Sequence, residues 1–166
     1  TNITMAANSA YQRGGGIYAT ASALVTLVNA TVISNTANNG GSGLYVYNTS
    51  STVNVYNSVF YNNGSGQDLL NESGATLNGE KTYTQQIPSG YGSPEGFYKL
   101  SLDPFFRSDD PDGPDNLYGT DDDGLRLSNA GKLKNIGNTL LNKESIDLLG
   151  NSRLNGISVD IGAYEN

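Results

Sequence analysis

The fold is decided by Asn29-Ala30-Thr31-Val32-Ile33-Ser34-Asn35 and by two stretches that share its pattern, residues 2–8 (NITMAAN) and 57–63 (NSVFYNN). Each has an Asn, Thr or Val two positions later, an apolar residue three later, and a second Asn six later. The starts, at positions 2, 29 and 57, define a period of roughly 27–28 residues. A second landmark, GIY at 16–18 and GLY at 43–45, follows the closing Asn at the same interval in the first two copies. Two landmarks on one period indicate a structural repeat.

Short runs of alternating apolar and polar residues lie between these landmarks. Residues 24–28 (LVTLV), 44–47 (LYVY) and 53–56 (VNVY) are bounded by Gly, Asn or Ser, which is typical of strands. Because no helical periodicity accompanies them, the repeat predicts one coil of a parallel β-solenoid, with inward Val and Ile side chains forming a continuous core. A Greek-key sandwich also has many short strands, but it does not place Asn and Gly on a fixed period.

The repeated Asn and Gly residues have a structural interpretation. At a coil corner, Asn tolerates left-handed backbone, and equivalent Asn side chains of successive coils can form a hydrogen-bonded ladder. Gly fits where φ is positive or where backbones approach closely. The predicted structural residues are Asn2, Asn8, Asn29, Asn35, Asn57, Asn63, Gly16 and Gly43. The alternative is N-glycosylation, since Asn2, Asn29, Asn48, Asn63 and Asn71 lie in sequons.

The composition excludes several classes of chemistry. The 166 residues include no Cys, His or Trp, so disulfides, thiolate or imidazole metal sites and His-dependent triads are excluded. The net charge of −7 disfavours nucleic acid as a partner, and no apolar run is long enough for membrane insertion. Arg13 is the only charged residue before Asp68. The sequence therefore divides into neutral coils over residues 1–77 and a loop-rich, acidic C-terminal cap over residues 78–166.

Seven carboxylates lie within residues 109–124, the densest charge in the chain. The alternation of Asp110, Asp112 and Asp115 around Gly113 is the oxygen-rich turn pattern that Ca²⁺ favours, although Pro114 and the missing twelfth-position Glu exclude an EF-hand. We predict a structural Ca²⁺ site; the alternative is a solvated acidic turn. The candidate ligands are Asp109, Asp110, Asp112, Asp115, Asp121 and Asp123.

Two sets of motifs resemble a known class of bacterial proteins. GGIY at 15–18 and FYNN at 60–63 are similar to the GG[ALVI][ILVY] and FxxN repeats of polymorphic outer-membrane proteins. Residues 103–106 (DPFF), 125–127 (LRL) and 160–165 (DIGAYE) resemble the C-terminal segment of right-handed β-helix repeat proteins of the choice-of-anchor Q type. The chain departs from that pattern at 131–137, where GKLKNIG replaces SPAIDAG.

This resemblance covers residues 1–77 loosely and 103–166 well. It implies an all-β fold, a right-handed parallel β-helix with an irregular C-terminal cap, in a secreted or cell-surface bacterial protein, often an adhesin. The expected partners are a cell-surface glycan or polysaccharide, or other surface proteins.

The distribution of charge argues against catalysis within this segment. Glycosidases need paired carboxylates, and β-elimination needs a base with a cation or Arg, yet the coils contain no carboxylate before Asp68. The predicted role is structural or adhesive, and the alternative is the C-terminal fragment of a pectate-lyase-like enzyme whose active site lies mostly elsewhere. The candidate ligand-binding residues are Tyr18, Tyr45 and Tyr47, because Tyr45 and Tyr47 share a strand face and Tyr18 precedes Tyr45 by one period. Packing of these rings into the protein is the other interpretation.

Overall fold

The computed structural model describes residues 1–64, 67–88, 96–100, 106, 110–120 and 122–166. These residues form thirteen short strands, one 3₁₀ turn at Thr139–Leu141 and no α-helix. The strands are β1 (Ile3–Ala6), β2 (Ser9–Ala10), β3 (Ile17–Ala19), β4 (Leu24–Val28), β5 (Ala30–Ile33), β6 (Thr36–Ala37), β7 (Leu44–Tyr47), β8 (Thr52–Tyr56), β9 (Val59–Tyr61), β10 (Leu69–Glu72), β11 (Thr76–Glu80), β12 (Thr82–Thr84) and β13 (Phe97–Lys99).

The strands form four sheets, and every strand pairing within these sheets is parallel. A five-stranded sheet has the order β1-β5-β9-β12-β13, two three-stranded sheets have the orders β3-β7-β10 and β4-β8-β11, and β2 pairs with β6. Ile3 pairs with Ala30 and Ile17 with Leu44, in each case one sequence period further along the chain. Leu24 pairs with Thr52, again one period further. The prediction of an all-β chain with parallel strands is confirmed, and the pairing follows the period of the sequence.

The spacing between paired strands shortens toward the C-terminus. Thr52 pairs with Thr76, less than a full period further, and Thr82 pairs with Phe97 after a still shorter interval. Of the sheets formed by the described residues, only the five-stranded sheet includes β13. The residue-77 boundary of the predicted division falls inside β11, so regular strand pairing continues into the segment that we expected to be a cap. The division into two parts itself stays a prediction.

The main core lies inside the sheets. Successive side chains on a strand point to opposite faces, so Ala30 and Val32 of β5 face this core together with Val46, Val55 and Phe60. All five side chains are buried. At about 1.5–3 kcal/mol for each large apolar side chain, this burial is the main contribution that holds the strands in register.

A second core lies on the outer face of the five-stranded sheet. Ile33 and Val59 point to that face and contact apolar residues of the C-terminal part, among them Leu127, Leu133 and Ile161. Hydrogen bonds reinforce the contact, and the described C-terminal residues therefore cover the sheet's flank across β1, β5 and β9. The bonds run from Ala163 N to Thr31 Oγ1 (3.0 Å), from Gly162 N to Asn57 O (2.8 Å) and from Thr4 Oγ1 to Tyr164 Oη (3.1 Å).

Candidate functional site

The three candidate tyrosines come together on the outside of the β3-β7-β10 sheet. Tyr18 and Tyr45 are in register on β3 and β7, and their ring centroids are 5.1 Å apart. Tyr47, which follows Tyr45 on the same face of β7, stacks on it with centroids 6.1 Å apart. We call Tyr18, Tyr45 and Tyr47 the tyrosine surface. Strand alternation and the repeat period, both visible in the sequence, are sufficient to explain this arrangement.

The three rings differ in their exposure. Tyr45 is fully buried, whereas Tyr18 is 51% and Tyr47 37% exposed. The Arg13 guanidinium carbon lies 4.9 Å from the centroid of the Tyr45 ring, and the Tyr45 hydroxyl donates a hydrogen bond to Glu72 Oε2. Burial, followed by the hydrogen bond to the Glu72 carboxylate, raises the pKa of Tyr45 above its usual range. Tyr45 is therefore an immobilised, uncharged ring that supports the two accessible rings of Tyr18 and Tyr47.

Arg13 and Glu72 are parts of this site that the sequence reasoning missed. Arg13 Nη2 lies 3.7 Å from Glu72 Oε2, with both side chains more than a third exposed, so the pair itself contributes little, about 0–1 kcal/mol. Its role is positional, since Arg13 covers the Tyr45 ring and Glu72 holds its hydroxyl. The available signal was the isolation of Arg13, the only charged residue before Asp68. Glu72 carried no local signal because it joins the site from a later coil.

The chemistry of the tyrosine surface suits binding. The two exposed phenol rings are supported by the buried Tyr45 ring. They offer flat faces for stacking and hydroxyls for hydrogen bonds, which is how aromatic side chains serve at interfaces. The Tyr45 hydroxyl is a poor proton donor because its pKa is raised, and it is already bonded to Glu72. The arrangement therefore provides contact area and orientation rather than an acid or a base.

Asn8, Asn35 and Asn63 form a row across successive sequence repeats. Asn8 donates from its backbone N and its Nδ2 to Asn35 Oδ1, each at 3.0 Å. Asn35 donates in the same way to Asn63 Oδ1, at 3.0 and 2.9 Å. Asn63 donates to Asp68 Oδ1, and the Thr84 hydroxyl donates to Asp68 Oδ2. We call Asn8, Asn35, Asn63 and Asp68 the amide ladder. Its Asn35 and Asn63 side chains also donate to the backbone carbonyls of Met5 and Val32.

Asn2, Asn29 and Asn57 form a second row with a different function. Their φ angles are 46°, 54° and 49°, the left-handed conformation that Asn tolerates. Asn29 Nδ2 donates to Asn2 Oδ1 at 3.1 Å, whereas Asn57 exchanges hydrogen bonds with Asn138 of the C-terminal part. The first row lacks this conformation, because there the residue with positive φ comes one position earlier, as at Ser34. The left-handed conformation therefore belongs to the second row, whereas hydrogen bonds between equivalent Asn side chains occur in both rows.

Gly16 and Gly43 are required by close backbone approach. A Cβ on Gly16 would lie 2.5 Å from the Gly43 carbonyl oxygen, and one on Gly43 would lie 2.9 Å from that of Asp68. Burial also bears on the glycosylation alternative. Asn29, Asn63 and Asn71 are buried, so the folded chain does not offer these side chains to a glycan.

The acidic segment is partly described: Asp110, Asp112, Asp115 and Asp123 have described positions, whereas Asp109 and Asp121 lie outside the described residues. Several of its carboxylates accept local hydrogen bonds, from Leu117 N to Asp115 Oδ1 (2.9 Å) and from Gly119 N to Asp123 Oδ2 (2.8 Å). Burial raises the pKa of Asp123. Within the described ranges, no three acidic side chains gather closely enough to hold a metal ion. The Ca²⁺ site stays a prediction.

Searches against protein-family models, curated proteins and solved structures find no match to this chain. Within the described part of the chain, no helix has the length and hydrophobicity needed to cross a bilayer. The described residues define an all-β protein of parallel sheets, with C-terminal residues packed on the outer face of the five-stranded sheet.

Proposed function

We propose that this chain is a segment of a right-handed parallel β-helix in a secreted or cell-surface protein, with a non-catalytic structural and adhesive role. Parallel pairing at the period of the sequence repeat, found in all four sheets, supports the coil geometry. The right-handed sense follows from the strong preference of parallel β-connections for that hand. The resemblance of residues 160–165 (DIGAYE) to surface β-helix proteins supports the location.

The tyrosine surface is the observation on which the adhesive role rests. Tyr18 and Tyr47 are exposed on a base that Arg13 and Glu72 hold in place, so little side-chain freedom is lost when a ligand binds. Partly exposed rings with hydroxyls suit the apolar face and the hydroxyl edge of a sugar ring. The proposed ligand is a glycan or polysaccharide of a cell surface.

A glycan array followed by polysaccharide affinity measurements tests this role. We expect Tyr18→Ala and Tyr47→Ala each to weaken binding about tenfold, since a stacked, hydrogen-bonded aromatic contributes about 1–2 kcal/mol. Tyr11→Ala is the matched control, because Tyr11 is 86% exposed and makes no ring contact with the tyrosine surface. Equal losses in all three variants, or no glycan bound by the wild type, would contradict the adhesive role.

Incubation of the chain with the polysaccharides that it binds tests the non-catalytic part of the proposal. We expect no release of reducing ends and no unsaturated product. Product release that survives purification would support the alternative, a fragment of a pectate-lyase-like enzyme. Glu72 would then be the first residue to replace, because its carboxylate accepts a hydrogen bond from Tyr45 of the tyrosine surface.

A further inference from the structure

A polar cavity of about 410 Å³ opens in the C-terminal part of the molecule, at a different place from the tyrosine surface. Its volume falls within the range of small-molecule sites, roughly 300–1,000 Å³. Most such sites are largely apolar, whereas this one is lined by polar and charged side chains. They are Arg126, Asn151, Ser152, Asn155, Glu165 and Asn166.

Arg126 supplies a positive charge to this cavity and forms no ion pair with the described residues. Its neighbours Leu125 and Leu127 are buried in the second core and hold the backbone on either side of it. The ion pairs of the described residues are Arg13 with Glu72 and Arg153 with Glu165, so Arg126 takes part in neither. The Arg126 guanidinium is therefore available to pair with an anion bound in the cavity, in contrast to that of Arg153, which is held by Glu165.

Glu165, the acidic residue of the cavity, is already bonded to other groups of the protein. Its Oε2 lies 3.6 Å from Arg153 Nη1 and accepts a hydrogen bond from Asp160 N at 3.1 Å. Burial raises the pKa of Glu165 to about 7, so lowering the pH toward 6 protonates more of this carboxyl and weakens its repulsion of an anion. Arg126 is therefore the group that selects the charge of a ligand.

The side-chain amides of Asn151 and Asn166 donate from Nδ2 to other protein groups, which leaves their Oδ1 atoms available as acceptors. Asn151 Nδ2 is bonded to the Asp147 carboxylate, and Asn166 Nδ2 donates to Leu127 O at 2.8 Å. The Oδ1 atoms of Asn151 and Asn166 make no hydrogen bond with the described residues. These oxygens accept hydrogen bonds from hydroxyl groups, which are donors that a polyhydroxylated ligand carries.

We propose that this cavity binds a small hydroxylated carboxylate, a sugar acid of one or two rings, with the carboxylate on Arg126 and the hydroxyls on Asn151 and Asn166. A guanidinium pairs well with a carboxylate in a bidentate geometry. The proposal does not depend on the tyrosine surface, so either can fail without the other.

Calorimetric titration at pH 6 with sodium glucuronate, glucose and sodium acetate tests the proposal. Glucuronate differs from glucose in its carboxylate and from acetate in its hydroxyls. We expect glucuronate to bind at least tenfold more tightly than either. Equal affinity for glucose, equal affinity for acetate, or no glucuronate binding at millimolar concentration would overturn the assignment.

Two variants and a control locate the binding. We expect Arg126→Gln to weaken glucuronate binding about tenfold or more, while Lys132→Gln, which removes the same charge from an exposed position outside the cavity, leaves it unchanged. Asn155→Asp places a negative charge on the exposed rim and should weaken binding even if Arg126→Gln fails to fold. Wild-type affinity in a folded Arg126→Gln variant, or in Asn155→Asp, would overturn the site.

Discussion

The amide ladder and the charged cluster around Arg153 stabilise irregular backbone in two opposite ways. In the ladder, the amides of Asn8, Asn35 and Asn63 carry no charge, and each repeats the contact of the one before it. In the C-terminal part, a single fully buried Arg153 donates from Nη2 to the carbonyl oxygens of Asp160 and Gly162. The first arrangement can be repeated in every coil, and the second occurs once.

The carboxylates around Arg153 complete the charged cluster, which we define as Asp147, Arg153, Asp160 and Glu165. Asp147 accepts hydrogen bonds from the backbone N of Glu165, Leu149 and Asn151. These bonds outweigh its burial and lower its pKa. Asp160 accepts bonds from Asn135 N and Asn166 N, but burial still raises its pKa. A neutral amide row can therefore be extended by one residue at a time, whereas the stability of a buried charged cluster depends on every member.

Replacement of Arg153 should have the largest effect on stability. Arg153→Met removes the cation and leaves Glu165 and Asp160 buried without it, so we expect a loss of about 3–5 kcal/mol in the free energy of unfolding. Urea denaturation at pH 7 measures it. Lys143→Met, at an exposed position, is the control and should change stability by less than about 0.5 kcal/mol. A loss below about 1 kcal/mol in Arg153→Met would show that the cluster is not what holds the C-terminal part.

Interruption of the amide ladder should come next. Asn35→Ala removes the acceptor of Asn8 and the donor to the Met5 carbonyl in a buried position, and we expect a loss of about 2–4 kcal/mol. Asn54→Ala is the matched control, because Asn54 also bonds to equivalent residues of neighbouring coils but does so at the surface. Similar losses in both variants, measured by thermal and urea unfolding, would remove burial as the reason for the ladder's strength.

Part of the pH dependence of stability comes from Glu165 of the charged cluster. The pKa of Glu165 is raised from 4.5 to about 7 in the folded chain, so the folded state binds more protons than the unfolded state between these values. The stability from this group is complete below pH 4.5 and is lost as the pH rises through 7, about 3 kcal/mol in all. Asp160 and Asp68 shift in the same direction and Asp147 in the opposite one.

Glu165→Gln isolates the share of that residue. We expect the variant to be close to the wild type in stability at pH 5, where Glu165 is protonated, and to lose less stability than the wild type between pH 5 and pH 8. Unfolding curves at pH 5, 6, 7 and 8 give the slope. An unchanged slope would mean that Glu165 does not titrate in this range.

Calcium should have the smallest effect. If the acidic segment binds Ca²⁺, stabilisation is about 1.4 kcal/mol at a concentration ten times the dissociation constant, or about 2–6 °C in melting temperature. A chelator should reverse the shift, magnesium at equal concentration should not reproduce it, and Asp112→Asn should reduce it. An unchanged melting curve with millimolar Ca²⁺ would show that this charge is simply solvated, unlike that around Arg153.

Much of the coil region is predictable from the sequence because its determinants are local and repeated. The period predicts which strands pair, and the alternation of Tyr45 and Tyr47 predicts a shared face. Burial of Tyr45 was not predictable, because it depends on Arg13 and Glu72, which reach the ring from other segments. The charged cluster was not predictable either, since nothing in the spacing of its members signals that they meet.

The parallel strands and their period could be read from the amino-acid sequence, together with the repeated Asn and Gly positions. These properties follow from side-chain alternation and backbone preferences, which act over a few residues and recur in each repeat. The sequence did not reveal which face of the five-stranded sheet is covered, which tyrosines stay accessible, or that Arg126 forms no ion pair with the described residues. Those outcomes depend on contacts between segments far apart in the chain, where burial and the pairing of charges are set by the whole fold.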